Sequence, residues 1–381
     1  MKNRPAVPWY LVLSKNHSQI VITNKKEPES RQAAFSCASI IRLQNTQPSL
    51  RIFEDELIER IHRRIPSSAG GALRLGIGHD AAVIRPADRD WVVTCDQFLE
   101  GVHFLVDKHP PESVGYKSLV RATSDVVAMA ARPRLFLLSL ALPAERTGAW
   151  LNGMLSGMAR ASRLLGLRLA GGDTTRSPGK NGLIALNLMV LGEATQGVRM
   201  GRAGAKPGDE IYVTGVLGQA QLGLELLIRG QAGQQKYRKF LAPHYYPTLP
   251  LDFALWLGRN RLASAMMDVS DGLSTDLTRL CKSSGVGARI YVDQIPAVDV
   301  PGSLQRSRAL NPLTLALHGG EDYGLIFTVA KGKASRIPRI FGRTRISRIG
   351  EIVRGSGVSI VTVGGDSSPL TPGGWDPFGK R

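Results

Sequence analysis

The chain has 381 residues, 43% of them hydrophobic, which is enough for two or three domains with real cores. Its formal net charge is +18, yet the basic residues are spread widely and are not interleaved with the scarce aromatic residues. We therefore predict no nucleic-acid partner and interpret the positive charge as suited to an anionic substrate. No apolar run reaches the roughly 18 residues that a membrane span needs, so no membrane partner is predicted.

The cysteines, Cys37, Cys95 and Cys281, are odd in number and lie far apart in the sequence. Their spacing fits neither a disulfide framework nor a zinc site, and it indicates a reducing compartment. We predict a cytoplasmic location. Residues 1–50 are basic, with only short apolar stretches at 9–13 and 20–22, and a secretory signal is not predicted. We predict a disordered tail or an over-extended start, and the few acidic residues with several Ser and Arg leave a transit peptide as an alternative.

Hydrophobic periodicity predicts alternating helices and strands from residue 51 onward. The elements expected before residue 204 are a helix over 53–65, a loop and strand over 75–84, a strand over 90–95 ending at Asp96, helices over 112–131 and 147–165, and strands over 135–142, 167–170 and 183–192. Those expected after it are strands over 210–214, 288–292 and 325–329, helices over 218–229 and 250–260, a polar connector over 231–238, and a strand-to-helix turn at 268–272.

Several of these strands follow each other directly, which favours an α+β fold with antiparallel or mixed sheets. The turn-rich segment 202–209 interrupts the pattern. We therefore predict an N-terminal domain over 51–203 and a C-terminal domain over 204–381.

The most informative segment is Asp268-Val269-Ser270-Asp271-Gly272. An apolar run leads into it, and Leu273 and Leu277 follow at helical spacing, so we expect a strand end that turns into a helix. Two carboxylates this close repel each other unless a cation joins them, and oxygen ligands of this kind suit Mg²⁺. A simpler alternative is that Ser270 or Asp271 caps the helix.

Four other segments carry the same kind of acidic residue. Their acidic members are Asp80, Asp96, Asp125 and Asp173. Together with the turn at 268–272 they predict a shared site for Mg²⁺ and a polyphosphate. Because Asp125 falls inside a predicted helix, it must face a polar group. The chain has neither a P-loop nor the glycine-rich loop of protein kinases, so metal ions on scattered carboxylates would have to hold the phosphates.

Each of the other candidate site residues has two interpretations. Arg202 and Lys206 could contact a phosphate or belong to a solvated turn. His103 could meet an anionic substrate or be a structural histidine. Trp375 could stack on a flat ring or cover a core. Glu321, with Asp322, follows a Gly-Gly turn and could reach a ligand from a loop.

Seven of these segments, in this order and over about residues 52–378, resemble the thiamine-monophosphate kinase family of the aminoimidazole ribonucleotide synthetase-like superfamily. The segments are 76–82, Asp96 with 100–104, Ser124-Asp125 with Ala128-Met129, 171–176, 202–209, 268–272 and 319–323.

The resemblance implies ATP-dependent phosphorylation of thiamine monophosphate to thiamine diphosphate, by direct in-line transfer with Mg²⁺. It implies an N-terminal α/β domain that dimerises through its sheet into a homodimer, and a C-terminal α+β domain with the site in the cleft. The metal ligands that it implies are Asp80, Thr94, Cys95, Asp96, Asp125, Asp173, Asp268 and Asp271, of which Asp125 and Asp271 are catalytic. The implied ATP contacts are Gly172, Asp173, Arg202 and Ser270. The implied substrate contacts are His103, Glu321 and Trp375.

The chain departs from the family pattern at a few positions. His79 stands where a second Asp is usual, Cys95 where Thr or Ser is usual, Ala122 where Asn is common and Ala130 where Gly is usual. A thiol is a poor ligand for Mg²⁺. These departures motivate one alternative, a weakened homologue that binds thiamine phosphates or nucleotides. Another ATP-using enzyme of the superfamily, such as a selenophosphate synthetase, is a second alternative, although the reactive Cys that it needs is not evident.

Overall fold

The computed structural model describes residues 10–13, 19–23, 34–36, 73–75, 82–85, 90–178, 182–302, 304 and 310–379. The helix expected over 53–65, and His79 and Asp80, lie outside these residues. The chain divides into two compact units, residues 1–56 with 378–381, and residues 57–377.

The first unit contains a three-stranded antiparallel sheet. Its strands are β1 (Tyr10–Leu13), β2 (Gln19–Thr23) and β3 (Ala34–Ser36), in that spatial order. Most of residues 1–50 lies outside the described part of the chain, so the expectation of a disordered extension stays a prediction.

The second unit begins with a six-stranded sheet in the order β4-β5-β6-β9-β7-β8. Its elements are β4 (Leu73–Leu75), β5 (Ala82–Ile84), β6 (Trp91–Leu99), α1 (Pro111–Ala128), β7 (Ala131–Leu142), α2 (Ala149–Leu165), β8 (Arg168–Arg176) and β9 (Ala185–Ala194). Helices α1 and α2 pack together closely, because a Cβ at Gly115 or Gly157 would collide with backbone of the facing helix. Their apolar side chains form one core with β6, β7 and β9.

A second, eight-stranded sheet follows, in the order β11-β13-β10-β15-β12-β16-β17, with β14 added on β15. Its strands are β10 (Glu210–Thr214), β11 (Ala263–Val269), β12 (Gly287–Tyr291), β13 (Gly324–Val329), β14 (Ile340–Phe341), β15 (Thr344–Val353), β16 (Gly357–Val361) and β17 (Ser367–Pro369). Its helices are α3 (Gln219–Ile228), α4 (Arg238–Tyr245), α5 (Leu251–Arg259), α6 (Leu273–Ser284) and α7 (Pro312–His318).

These mixed sheets and helices confirm the predicted α+β class. Among the described strands, β7 with β8 and β12 with β16 pair in parallel, and the other pairs are antiparallel. The end of α1 joins the two halves of the unit, because Val127 and Ala128 share a core with Phe253 and Phe327. None of the described helices is long and apolar enough to cross a membrane.

Two predicted strand ends are wrong, and both errors concern the site. Strand β6 runs on past Asp96 to Leu99, since it pairs with β9 along its whole length. Strand β8 likewise continues through the expected glycine turn and includes Asp173. Glycine and aspartate disfavour strands locally, but pairing with β7 overrides that preference.

Candidate active site

Helix α1 carries the polar residues that join the two sheets. Lys117, Arg121, Ser124 and Asp125 recur at the four- and three-residue spacing that puts side chains on one helical face. Arg121 Nε lies 2.7 Å from Asp96 Oδ2 on β6. The helix therefore presents a polar stripe in an otherwise apolar surface, and each member of that stripe has a partner outside the helix.

The neighbouring residues Ser124 and Asp125 reach in two directions. Thr94 Oγ1, on β6, donates to Asp125 Oδ2 at 2.6 Å, which confirms that Asp125 faces a polar group. Ser124 Oγ donates to Asp268 Oδ2 at 2.6 Å, at the end of β11. Two adjacent residues thus connect predicted site residues of the N-terminal sheet with those of the C-terminal sheet.

The segment 268–272 is a strand end that turns into a helix, as predicted, with β11 ending at Val269 and α6 beginning at Leu273. The capping alternative is wrong, because the residue before α6 is Gly272 and no side chain caps the helix there. Gly272 has φ 112°, a conformation that favours glycine, and a Cβ on it would lie 2.9 Å from the carbonyl carbon of His318.

A residue that the sequence analysis missed shapes this turn. Asp276, fully buried on α6, accepts the backbone N–H groups of Ser270, Asp271 and Gly272 at 3.0, 3.0 and 3.1 Å. One carboxylate therefore accepts hydrogen bonds from three consecutive amide N–H groups and fixes the backbone of the turn at 268–272. Its signal in the sequence was an acidic residue in the first turn of the following helix.

The two aspartates of the turn have different partners. Asp268 is 2% exposed and is held by Ser124, whereas Asp271 pairs with the guanidinium of Arg279, one of whose nitrogens lies 3.3 Å from Asp276 Oδ1. The carboxylates therefore do not face each other unpaired, and Arg279 supplies positive charge beside Asp271.

The segment Gly319 to Tyr323 is locked onto the same turn. The N–H groups of Glu321 and Tyr323 donate to the carbonyl oxygens of Ser270 and Val269, at 2.8 and 2.9 Å. Glu321 and Tyr323 adopt φ values of 68° and 49°, which cost a non-glycine residue of the order of 1 kcal/mol or more each. Strain of this kind persists only where surrounding contacts enforce it, and it concentrates at functional sites.

Two predicted substrate residues, Glu321 and His103, lie near charged residues of α1. Glu321 Oε2 lies 2.6 Å from Lys117 Nζ, and His103 stacks on Phe98 while its Nδ1 accepts the N–H of Leu99 at 2.9 Å. Burial first, and then the charge of Arg121, lowers the pKa of His103 to about 4, although Asp96 and Glu321 act in the opposite direction. His103 is therefore neutral near pH 7 and lies within electrostatic reach of Glu321.

Trp375 is brought to the turn by the C-terminal segment. Its backbone N–H donates to the carbonyl oxygen of Asp271 at 2.9 Å, and a Cβ on the preceding Gly374 would collide with that oxygen. The indole is 37% exposed, so it is not simply the cover of a core.

Other predicted residues lie on other elements of the fold. Gly172 and Asp173 lie on β8, all of whose residues are exposed, and Arg202 is tied through its carbonyl oxygen to Ser284 at the end of α6. Because successive strand residues point to opposite faces, Cys95 points away from Thr94 and Asp96. It donates to Asn187 Oδ1 at 3.1 Å.

Asp322, the neighbour of Glu321, contacts the N-terminus of α3 and not the turn at 268–272. Its carboxylate accepts the N–H groups of Gly218 and Ala220 at 2.5 and 3.0 Å, and so caps α3. Burial raises its pKa to about 7. Asp322 also borders a cavity of about 490 Å³, whose wall includes Tyr246 and Arg345.

The donors at the predicted metal site are nearly all carboxylate and hydroxyl oxygens, which fits Mg²⁺ better than a softer metal. Within the described part of the chain, which lacks Asp80, no three His, Cys, Asp or Glu residues converge as a ligand set. The oxygens are instead distributed over elements of both sheets and helix α1, as Thr94–Asp125 and Ser124–Asp268 show. Such a spread suits metal ions that are completed by phosphate oxygens.

Comparison with known proteins identifies the class first. Residues 78–194 match the family model "AIR synthase related protein, N-terminal domain", and residues 206–363 match the corresponding C-terminal domain. The fold and the site thus define an AIR synthase related protein.

Comparison with individual proteins identifies the family within this class. The chain is 31% identical to the thiamine-monophosphate kinase of Aquifex aeolicus, over 79% of this chain and 92% of that protein. It is 37% identical to the thiamine-monophosphate kinase of Salmonella typhimurium, over 72% and 82%. A solved structure described as AaThiL complexed with AMPPCP and TMP superimposes with a TM-score of 0.76 at 30% identity, covering 87% of this chain and 99% of that one. The chain belongs to the thiamine-monophosphate kinase family.

Proposed function

We propose that this chain transfers the γ-phosphate of ATP to thiamine monophosphate and so forms thiamine diphosphate, with Mg²⁺ as cofactor. The observation that carries the proposal is the match over nearly the full length of a relative solved with AMPPCP and TMP. Of the residues that the family resemblance implies for the substrate, Glu321 and Trp375 donate backbone N–H groups to the turn at 268–272, and His103 lies within electrostatic reach of Glu321.

The reaction is a direct in-line transfer. A phosphate oxygen of thiamine monophosphate attacks the γ-phosphorus of ATP while the bond to the β,γ-bridging oxygen breaks, and ADP leaves. Mg²⁺, which Asp96, Asp125, Asp268 and Asp271 would help to hold, would supply positive charge to offset the charge that develops on the phosphates. The chain's own residues align the two substrates. Asp276, through its hydrogen bonds to three backbone amides, and the strained segment 319–323 hold the turn at 268–272 rigid before the substrates bind.

The metal ligands, the ATP contacts and the catalytic role of Asp125 and Asp271 are part of the proposal. Asp96, Asp125, Asp268 and Asp271 are supported by their distribution over elements of both sheets and helix α1 and by the hard character of their oxygens. Asp80, Asp173 and the ATP contacts Gly172, Arg202 and Ser270 rest on the family pattern alone. For Cys95, the strand alternation favours the structural reading over metal ligation.

Three further statements belong to the proposal. We place the domain boundary between residues 203 and 204, which the two sheets and the two family models support. We propose a homodimer formed through the N-terminal sheet, on whose open face the paired residues Cys95 and Met189 are exposed. A cytoplasmic location follows from the reduced cysteines and the biosynthetic reaction.

The test is product analysis with purified protein, ATP, Mg²⁺ and thiamine monophosphate, with thiamine and thiamine diphosphate as control acceptors. We expect thiamine diphosphate and ADP in equal amounts, and only with the monophosphate. Binding of both ligands without turnover would instead favour a weakened homologue. In that case His79→Asp, which restores the second aspartate of the family, distinguishes a weakened enzyme, whose rate should rise, from a binding protein, whose rate should not.

A further inference from the structure

A buried polar network connects helix α1 with the Glu321 loop, and no predicted role accounts for it. Lys117 is 1% exposed, and its Nζ lies 2.6 Å from Glu321 Oε2 and 3.3 Å from His244 Nδ1. His244 Nε2 lies in turn 3.0 Å from His109 Nε2. The network joins α1, α4, the segment before α1 and the strained loop at Glu321.

The far end of the network is held by the backbone before α1. His109 Nδ1 accepts the backbone N–H of Leu105 at 3.0 Å and lies 3.2 Å from the carbonyl oxygen of the same residue. Both rings stay neutral because burial, and then the positive charge of Lys117, lowers their pKa values, that of His109 to about 4.

Glu321 is the one partner that can neutralise Lys117 in this network. A fully buried cation is tolerated only when it is paired and hydrogen-bonded, so the ammonium holds the carboxylate firmly on one side. The contacts of Glu321 with Lys117 and His244 both use Oε2. Within the described part of the chain this leaves Oε1, on a side chain that is 22% exposed, to face a ligand.

We propose that Lys117, supported by His244 and His109, is a positioning residue that fixes the Glu321 carboxylate for the cationic, amine-bearing ring system of thiamine monophosphate. The inference rests on the proposed function and extends it to the source of substrate specificity. The contacts of Lys117 are with Glu321 and His244. Its effect is therefore on recognition of the ring system and not on ATP.

The experiment compares Lys117→Met with the wild-type chain. Met keeps the length of the side chain and removes the charge, so the helix should still pack. We expect KM for thiamine monophosphate to rise about tenfold, while kcat and KM for ATP change by less than about threefold. In a Glu321→Gln background, Lys117→Met should add no more than about a twofold further increase, since the partner that it positions is already altered.

Arg289→Met is the matched control, because it breaks an exposed ion pair with Glu351 at 3.1 Å and should leave both KM values unchanged. A purely structural role would lower thermal stability and change both KM values together. That result, or an unchanged KM for thiamine monophosphate, overturns the inference. His244→Gln, which keeps one polar atom in the network, should show a smaller increase in the same KM.

Failure of the proposed function is recognised separately. If the wild-type chain makes no thiamine diphosphate, that function is wrong, and calorimetric binding of thiamine monophosphate to the same variants replaces the kinetic test. A dissociation constant that Lys117→Met weakens about tenfold still supports the positioning role. Equal binding by both proteins, or binding by neither, overturns it.

Discussion

The turn at 268–272 and strand β8 carry the same kind of residue in opposite settings. The turn is built by the protein's own contacts, with Asp268 buried against Ser124 and three amides gathered by Asp276. Strand β8 holds Gly172 and Asp173 on an exposed surface. The difference shows that one half of the proposed site is pre-organised by tertiary contacts, whereas the other depends on the edge of a sheet. Substitutions should therefore affect stability and activity together at the turn, and activity alone on β8.

The largest effect is expected from Asp271→Asn in the turn. If Asp271 is a metal ligand as proposed, the change removes a charge that the phosphoryl transfer needs, and turnover should fall by about 10³-fold or more. The amide oxygen can still accept a hydrogen bond from Arg279, and the free energy of unfolding should drop by only about 1 kcal/mol. Product formation and thermal denaturation measure the two effects. Retained turnover with an unchanged Mg²⁺ dependence would remove Asp271 from the metal site.

Asp276→Ala tests the rigidity of the turn directly. It leaves three amides without their acceptor, and the free energy of unfolding in urea should fall by about 3–5 kcal/mol. Asp276→Asn is the matched variant, since it keeps one carbonyl oxygen, and should recover much of the loss. Equal stability of the Ala variant and the wild type would mean that the turn does not depend on this carboxylate.

Asp173→Asn addresses the other side of the comparison. Because the side chain is exposed, the free energy of unfolding should change by less than about 0.5 kcal/mol. If Asp173 holds metal or nucleotide, turnover should fall about 10²-fold, with a weaker apparent affinity for Mg²⁺. Full turnover at limiting Mg²⁺ would exclude β8 from the site.

The smallest effect is expected at the end of the helix that ties the turn to the N-terminal sheet. Ala130 has φ 50°, where the family usually has Gly. Ala130→Gly relieves about 1–2 kcal/mol of backbone strain. It also loses about 0.8 kcal/mol from burial of the methyl group, and glycine gives the unfolded chain more conformational freedom, which further destabilises the folded state. The net change should stay within about 1 kcal/mol. Ala128→Gly, equally buried but helical, should cost about 2 kcal/mol, and equal costs would contradict the strain at Ala130.

Local sequence was most informative where one element alone decides the structure. The strand-to-helix turn at 268–272 and helix α1 were predicted correctly, because apolar spacing and a following glycine are local signals. The predicted ends of β6 at Asp96 and β8 before Asp173 were wrong, because pairing with β9 and β7 extends both strands. Helices α4 and α7 and strands β14 to β17 were missed. Most of them are short, and the longer strand β15 is fixed by its pairing with β10, β12 and β14.

By itself, the sequence determined the α+β class, the family and the acidic segments that belong to the proposed site. The tertiary structure decided which of those residues meet. Asp276 and Lys117 look like ordinary residues of amphipathic helices, and only the packing shows that one gathers the amides of the turn and the other holds Glu321. The reason is physical: apolar periodicity is written along the chain, whereas the pairing of buried charges depends on contacts between residues as far apart as Lys117 and Glu321.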